Sequence, residues 1–249
     1  MPRFAGDILP EQEIGRALSL ADKLDNLAAT FLRGLIPTGS QDPFALRRQT
    51  IGAVNILTDG KIHWDIRRGI EAALALLPGD EETKKTVLSQ IEDFFRQRIK
   101  AIMLDEGIAY DIIEAVLAGP VDDIYALFLK ARSMAESQLK DEAELRQAVT
   151  RLANITKGKT GGKVDPSLFT EDVEKKLQDA FEAVSAKALP LFASYEYGKA
   201  LPALKELTAP INDYLDNVMV MVDDEAVKNN RISQLLATLA LFNTWGDFS

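Results

Sequence analysis

The chain has 249 residues, enough for one large domain or a domain with an appendage, and at 47% hydrophobic it can build a sizeable core. It contains no cysteine and a single histidine, His63, which excludes a disulfide framework, cysteine metal sites and a His-rich metal centre. A net charge of −9 argues against a general nucleic-acid binder, which would carry a basic footprint.

The charge is uneven. Residues 42 to 106 hold ten basic against eleven acidic residues, so most of the acidic excess lies elsewhere. A local RNA contact is compatible with that distribution, because RNA is often recognised through shape and unstacked bases. The segment Met1 to Asp7 has no apolar signal-type run, and no apolar stretch reaches membrane-spanning length. The expectation is a soluble cytoplasmic protein.

Residues 1 to 10, with Pro2, Gly6 and Pro10, read as irregular. Ile14, Leu18, Ala21, Leu24, Ala28 and Phe31 recur on one face and predict a helix over 11–33, stopped by Gly34. Pro37 and Gly39 then break the chain. Asp42 is placed to cap a helix over 42–58, with Pro43 at its first position and Leu46, Ala53 and Leu57 facing a core. Arg47 and Arg48 sit near the start of that helix, where the dipole disfavours cations, so an acidic partner is expected for them.

Asp65 caps a further helix reaching Leu77, and Pro78-Gly79-Asp80 ends it. A long helix over 81–106 follows, with Val87, Ile91, Phe94, Phe95, Ile99 and Ile102 as its core stripe. Shorter helices are predicted over 110–117, 121–139 and 141–156, the last two separated near Asp141. Lys157 to Lys163 is rich in Gly and Lys and reads as a flexible linker, extending to about 165. Its Gly158-Lys159-Thr160 is not a phosphate loop, because Ala153 stands where that motif requires glycine and a helix, not a strand, precedes it. Helices over 170–188 (before Pro190), 195–207, 210–221 and 229–244 complete an all-α chain of nine to eleven helices.

Asp42-Pro43-Phe44-Ala45-Leu46-Arg47-Arg48 resembles the signature opening DALR-type anticodon-binding domains of aminoacyl-tRNA synthetases. With Ala21-Asp22-Lys23-Leu24-Asp25 and Gly34-Leu35-Ile36-Pro37-Thr38-Gly39 before it, the stretch resembles the bacterial glycyl-tRNA synthetase β-subunit family. Val218 to Met221, Asp224, Asn230-Arg231 and Asp247-Phe248-Ser249 match the same family in the same order. Asn212 departs from it, standing where the family usually has Asp.

The resemblance implies a C-terminal portion of a longer subunit. Residues 1–35 would end an HD-like domain, and 36–249 would form a helical DALR-type bundle with the linker at 157–165. It implies binding of glycine tRNA and partnership with the synthetase α subunit in an α2β2-type assembly. ATP and Mg would be used by the whole enzyme on the α subunit. Neither catalytic nor metal-binding residues are expected in this portion, nor contact with DNA or membrane. The candidate tRNA contacts are Arg47, Arg48, Asn230 and Arg231, where Arg offers a bidentate fork and a stacking plane. A structural module for subunit assembly, without tRNA contact, is the alternative. Asp22 and Asp25 lie one turn apart but lack the histidines that an HD metal site needs, and His63 beside Trp64 reads as a packed surface residue.

Overall fold

A computed structural model describes residues 9–39, 41–137 and 142–247. Most of the expected irregular start, the break near Asp141 and the terminal Phe248-Ser249 fall outside them, while Leu9 and Pro10 lie outside any helix. Every regular element is helical: α1 Glu13–Leu32, α2 Leu46–Asp59, α3 Ile66–Ala75, α4 Glu81–Asp105, α5 Tyr110–Leu117, α6 Ile124–Glu136, α7 Ala143–Thr156, α8 Asp172–Ala193, α9 Leu201–Lys205, α10 Thr208–Asn217 and α11 Glu225–Asn243. Only two isolated bridges, Thr38 with Gln41 and Asp65 with Asp123, occur among the described residues. The all-α expectation holds.

Carboxylates start several of these helices, because an Asp oxygen can take N–H groups that the first turn leaves unpaired. Asp65 accepts from Arg68 N (3.3 Å), Asp80 from Thr83 N (2.8 Å) and Asp224 from Ala226 N (2.9 Å) and Val227 N (3.1 Å). The hydrogen bonds from Thr83 hold the Asp80 carboxyl below its usual range.

Several boundaries differ from the sequence reading; α11, for one, begins at Glu225 rather than 229. Pro43 and Phe44 lie in a turn before α2, and Ala45 takes a left-handed conformation with φ 53°. Pro190 lies inside α8, which runs three residues further. So close to the helix end the proline forfeits one backbone bond without breaking the helix. The segment read as one helix over 195–207 divides into a 3-10 turn, Tyr197–Ala200, and the short α9. Val218 to Met221 leaves the helix altogether: Val218 and Val220 are buried while Met219 and Met221 are exposed, the alternation of an extended chain.

Two compact units divide the chain: Met1–Ile113 with Gly119–Phe128, and Glu114–Ala118 with Leu129–Ser249. The boundary expected at residue 35 therefore falls inside the first unit, where α1 packs on α2, α3 and α4. Leu27, Phe31, Leu57, Ile70, Ile91 and Phe95 are buried there, and the Phe31 and Phe94 rings meet edge-on at 5.3 Å. His63 Nδ1 lies 2.8 Å from Asp123 Oδ2, and Ile66 N donates to Asp122 O (2.9 Å), fixing the connector ahead of α3. Outside this core α1 and α3 leave an apolar groove of about 1030 Å³, lined by Leu18, Leu20, Leu24, Trp64 and Leu76 among others.

In the second unit α7, α8, α10 and α11 pack around Leu152, Leu177, Ile211, Tyr214, Leu235 and Phe242. Trp245 is fully buried just beyond α11, with its Nε1 donating to Ser133 Oγ (2.8 Å). Truncating a fully buried aromatic removes transfer energy and leaves a cavity. Phe95→Ala is therefore expected to destabilise the first unit by about 3–5 kcal/mol, read from the shift of its urea-unfolding midpoint.

Candidate nucleic-acid interface

The four candidate residues divide two and two between the units: Arg47 and Arg48 in the first, Asn230 and Arg231 in the second. Asp42 seats the first pair. Its carboxylate accepts from Leu46 N (2.7 Å) and Arg47 N (3.0 Å), so the helix start that repels a cation is already neutralised. Arg47 is half-buried and its Nη2 donates to Gly39 O (2.7 Å), while Arg48 is exposed.

Arg47 opens onto a pocket of about 370 Å³ whose lining includes Gln90, Asp93, Phe94, Gln97 and Arg98 of α4. Arg98 lies over the Phe94 ring, 4.1 Å from its centroid, and donates to Gln97 Oε1 (2.9 Å). Burial pushes the Arg98 guanidinium below its usual range and the charge of Arg47 adds to this, with Asp42 opposing. Two guanidinium groups thus share one partly desolvated pocket with two amides and the Asp93 carboxylate. Sequence reading missed Arg98. Its signal was the Phe94–Arg98 pair at i,i+4 on a helix counted only for its core stripe.

The second pair is turned inward. Arg231 is buried, with Nε 3.0 Å from Glu174 Oε1 and Nη2 3.2 Å from Oε2. Its remaining donors reach Met219 O (2.7 Å) and Thr170 Oγ1 (2.7 Å). The carboxylate hydrogen bond and charge outweigh burial and raise the Arg231 pKa further. Burial pushes the Glu174 carboxyl up, but Arg231 and the Thr170 and Glu171 backbone N–H groups outweigh it and hold it below its usual range. Asn230, also buried, accepts from Asp165 N (2.7 Å) and returns a hydrogen bond to Asp165 O (3.0 Å). Both expected tRNA contacts, Asn230 and Arg231, are thus buried in this fold with their hydrogen-bonding groups turned to partners inside the second unit. Glu174, the partner that decides this, went unmarked in the sequence, and its one signal was a Glu three residues after the helix-starting Glu171.

Of the stretch read as a flexible linker, residues 161–165 pack against α11. Gly162 N donates to Ser233 Oγ (2.8 Å), and a Cβ added at Gly161 would stand 2.9 Å from Leu236 Cδ1. Together with the Asp165–Asn230 pair these contacts lay residues 161–165 along α11. Asn212, which departs from the family, accepts from Arg151 Nη1 (2.9 Å), while Arg151 Nη2 reaches Asp216 (2.5 Å). Asp22 and Asp25 are exposed on α1, and no group of three His, Cys, Asp or Glu suited to a metal occurs among the described residues.

Residues 1–118 match the family model described as glycyl-tRNA synthetase beta subunit, and residues 145–245 match the DALR anticodon binding domain. The chain is 42% identical to the glycine–tRNA ligase beta subunit of Clostridioides difficile (strain 630), over 94% of this chain and 34% of that protein. The chain belongs to the glycyl-tRNA synthetase beta subunit family. It is also similar to the glycine–tRNA ligase beta subunits of Desulforamulus reducens and Aeromonas hydrophila, at 37% and 38% identity over 100% of the chain. It spans about a third of the length of these relatives, 34–37%. In this β-subunit chain the anticodon-domain match covers α7 to α11, whereas Asp42 to Arg48 lies within the stretch matched by the β-subunit model. No helix among the described residues is long and apolar enough to cross a membrane.

Removing one partner of a buried ion pair strands the other charge, at a cost of about 3–5 kcal/mol. Arg231→Ala and Glu174→Gln are both expected to lower the melting temperature of the second unit sharply. Acid acts on the same pair. A carboxyl held low in the fold contributes stability above its unfolded value, 4.5 here, and loses it as pH falls through the folded value. The melting-temperature gap between wild type and Glu174→Gln should therefore narrow on titration from pH 6 to pH 3.

Proposed function

We propose that this chain is the tRNA-holding portion of a glycine–tRNA ligase β subunit. The carrying observation is the match of residues 145–245 to an anticodon-binding domain, on a unit whose helices form one packed bundle. The second unit recognises the anticodon arm of glycine tRNA. In the first unit Arg47 and Arg98, with Arg48 beside them, meet the phosphate backbone. This supports aminoacylation without performing it. Binding energy spent on tRNA positions the acceptor end, and proper positioning converts a bimolecular encounter into a local one.

The adenylate chemistry, with its ATP and Mg, belongs in this reading to an α subunit joined to the β subunit in an α2β2-type assembly. The cytoplasm, where translation runs, is the proposed compartment. In contrast to an assembly surface, a phosphate-binding surface releases counterions, so its affinity falls steeply with salt. Gel-shift titration of the chain with glycine tRNA and a non-cognate tRNA is expected to give salt-dependent binding that favours glycine tRNA. Arg47→Gln should weaken both RNAs alike and flatten the salt slope by about one unit. Absence of binding at low salt by the folded chain would leave the assembly-module reading in its place.

A further inference from the structure

The second unit holds a cationic segment to which nothing above gives a role. Lys157, Lys159 and Lys163 are all exposed and fall within seven residues of an acidic chain. Among the described residues none of the three forms an ion pair, whereas Lys187, Lys205 and Lys228 of the same unit each hold a glutamate. Lys163 acts by charge on the Asp165 carboxyl without closing a contact ion pair, and Lys157 and Lys159 hold no carboxylate among the described residues, so on a protein of charge −9 these cations are open to an external anion.

The backbone that carries Lys163, residues 161–165, is built in against α11, and Lys157 and Lys159 lead into it from the end of α7, which separates this stretch from an ordinary basic loop. Gly158 turns it with φ +69°, a conformation only glycine takes without strain. Gly161 passes so close to α11 that an added Cβ would stand 3.3 Å from Ser233 Cα and 2.9 Å from Leu236. Ser233 Oγ then receives Gly162 N, and Asn230 brackets Asp165 from both sides. Ser233 and Asn230 share one edge of α11, and both are buried. The Asp165 carboxylate turns to Ser167 N (2.9 Å) and Oγ (2.7 Å).

We propose that residues 157–163 form a fixed lysine strap that binds the phosphate backbone of tRNA beside the anticodon-binding bundle, with Asn230 as its positioning residue. The inference rests on the tRNA-holding reading and adds to it where the second unit meets the strand. Lysine is suited to this because a compact ammonium contacts phosphate as a point charge and reads no base. A strap already ordered in the free protein loses less freedom on binding than a mobile loop would. It also gives Asn230 a reason to stand in an RNA-binding protein while touching no RNA.

The test is salt-dependent filter binding of glycine tRNA to the full chain and to Lys157→Gln/Lys159→Gln/Lys163→Gln. The variant should melt like wild type, bind at least tenfold more weakly at low salt, and lose about two units of salt slope, as three phosphate contacts on a single strand imply. Asn230→Ala frees the strap, so trypsin should cut at Lys159 and Lys163 faster than in wild type. Adding glycine tRNA should protect those sites in wild type and less so in Asn230→Ala. If wild type binds tRNA and the triple variant matches its affinity and slope, the strap is overturned while the tRNA-holding reading stands. If wild type fails to bind tRNA, both fall together.

Discussion

One buried carboxylate organises the second unit. Glu174 accepts from Thr170 N, Thr170 Oγ1, Glu171 N and both Nε and Nη2 of Arg231, while its own carbonyl receives Gln234 Nε2. A carboxylate out of water is tolerable only when its lone pairs are filled and an opposite charge stands against it. That requirement fixes the start of α8 and its placement against α11. Through Arg231 Nη1 and the Met219 carbonyl it also fixes the extended stretch before α11. One residue earlier, Asn230 fastens the chain that leads into α8. The Asn-Arg pair is thus the seam along which α11 is joined to everything packed on it.

Much of the helical layout was legible because it depends on local chemistry. The period of Leu24, Ala28 and Phe31, or of Ile91, Phe95 and Ile99, marks a buried face whatever it packs against. Asp42 and Asp65 announce helix starts because their oxygens reach only the next few N–H groups. Where the reading departed, a distant partner decided the outcome. Val218 to Met221 looks helical by composition, yet a hydrogen bond from Arg231 holds it extended. Gly161 and Gly162 look like a hinge, yet they are the residues small enough to lie against Ser233 and Leu236.

The candidate site was legible in residue type and opaque in burial. An arginine on a helix reads the same whether it lies at the surface or against a glutamate 57 residues away, so Arg48, exposed, and Arg231, buried, were indistinguishable in the sequence. Arg98 shows the converse. It sits on a helix read only for its apolar stripe, and its importance follows from Arg47 and Phe94 arriving at the same pocket.

The seam along α11 also orders events in time. Its bonds join residues separated by 57, 65 and 71 positions, so each closes a long loop before it returns any energy. During synthesis α8 is made well before the helix that covers it. Until α11 leaves the ribosome, Glu174 has no Arg231, Asp165 has no Asn230, and the lysine-bearing stretch has nothing to lie on. The first unit's α1 to α4 can assemble on one another meanwhile. The second unit is therefore completed only when α11 docks, which seats the buried charge and residues 161–165 in one step.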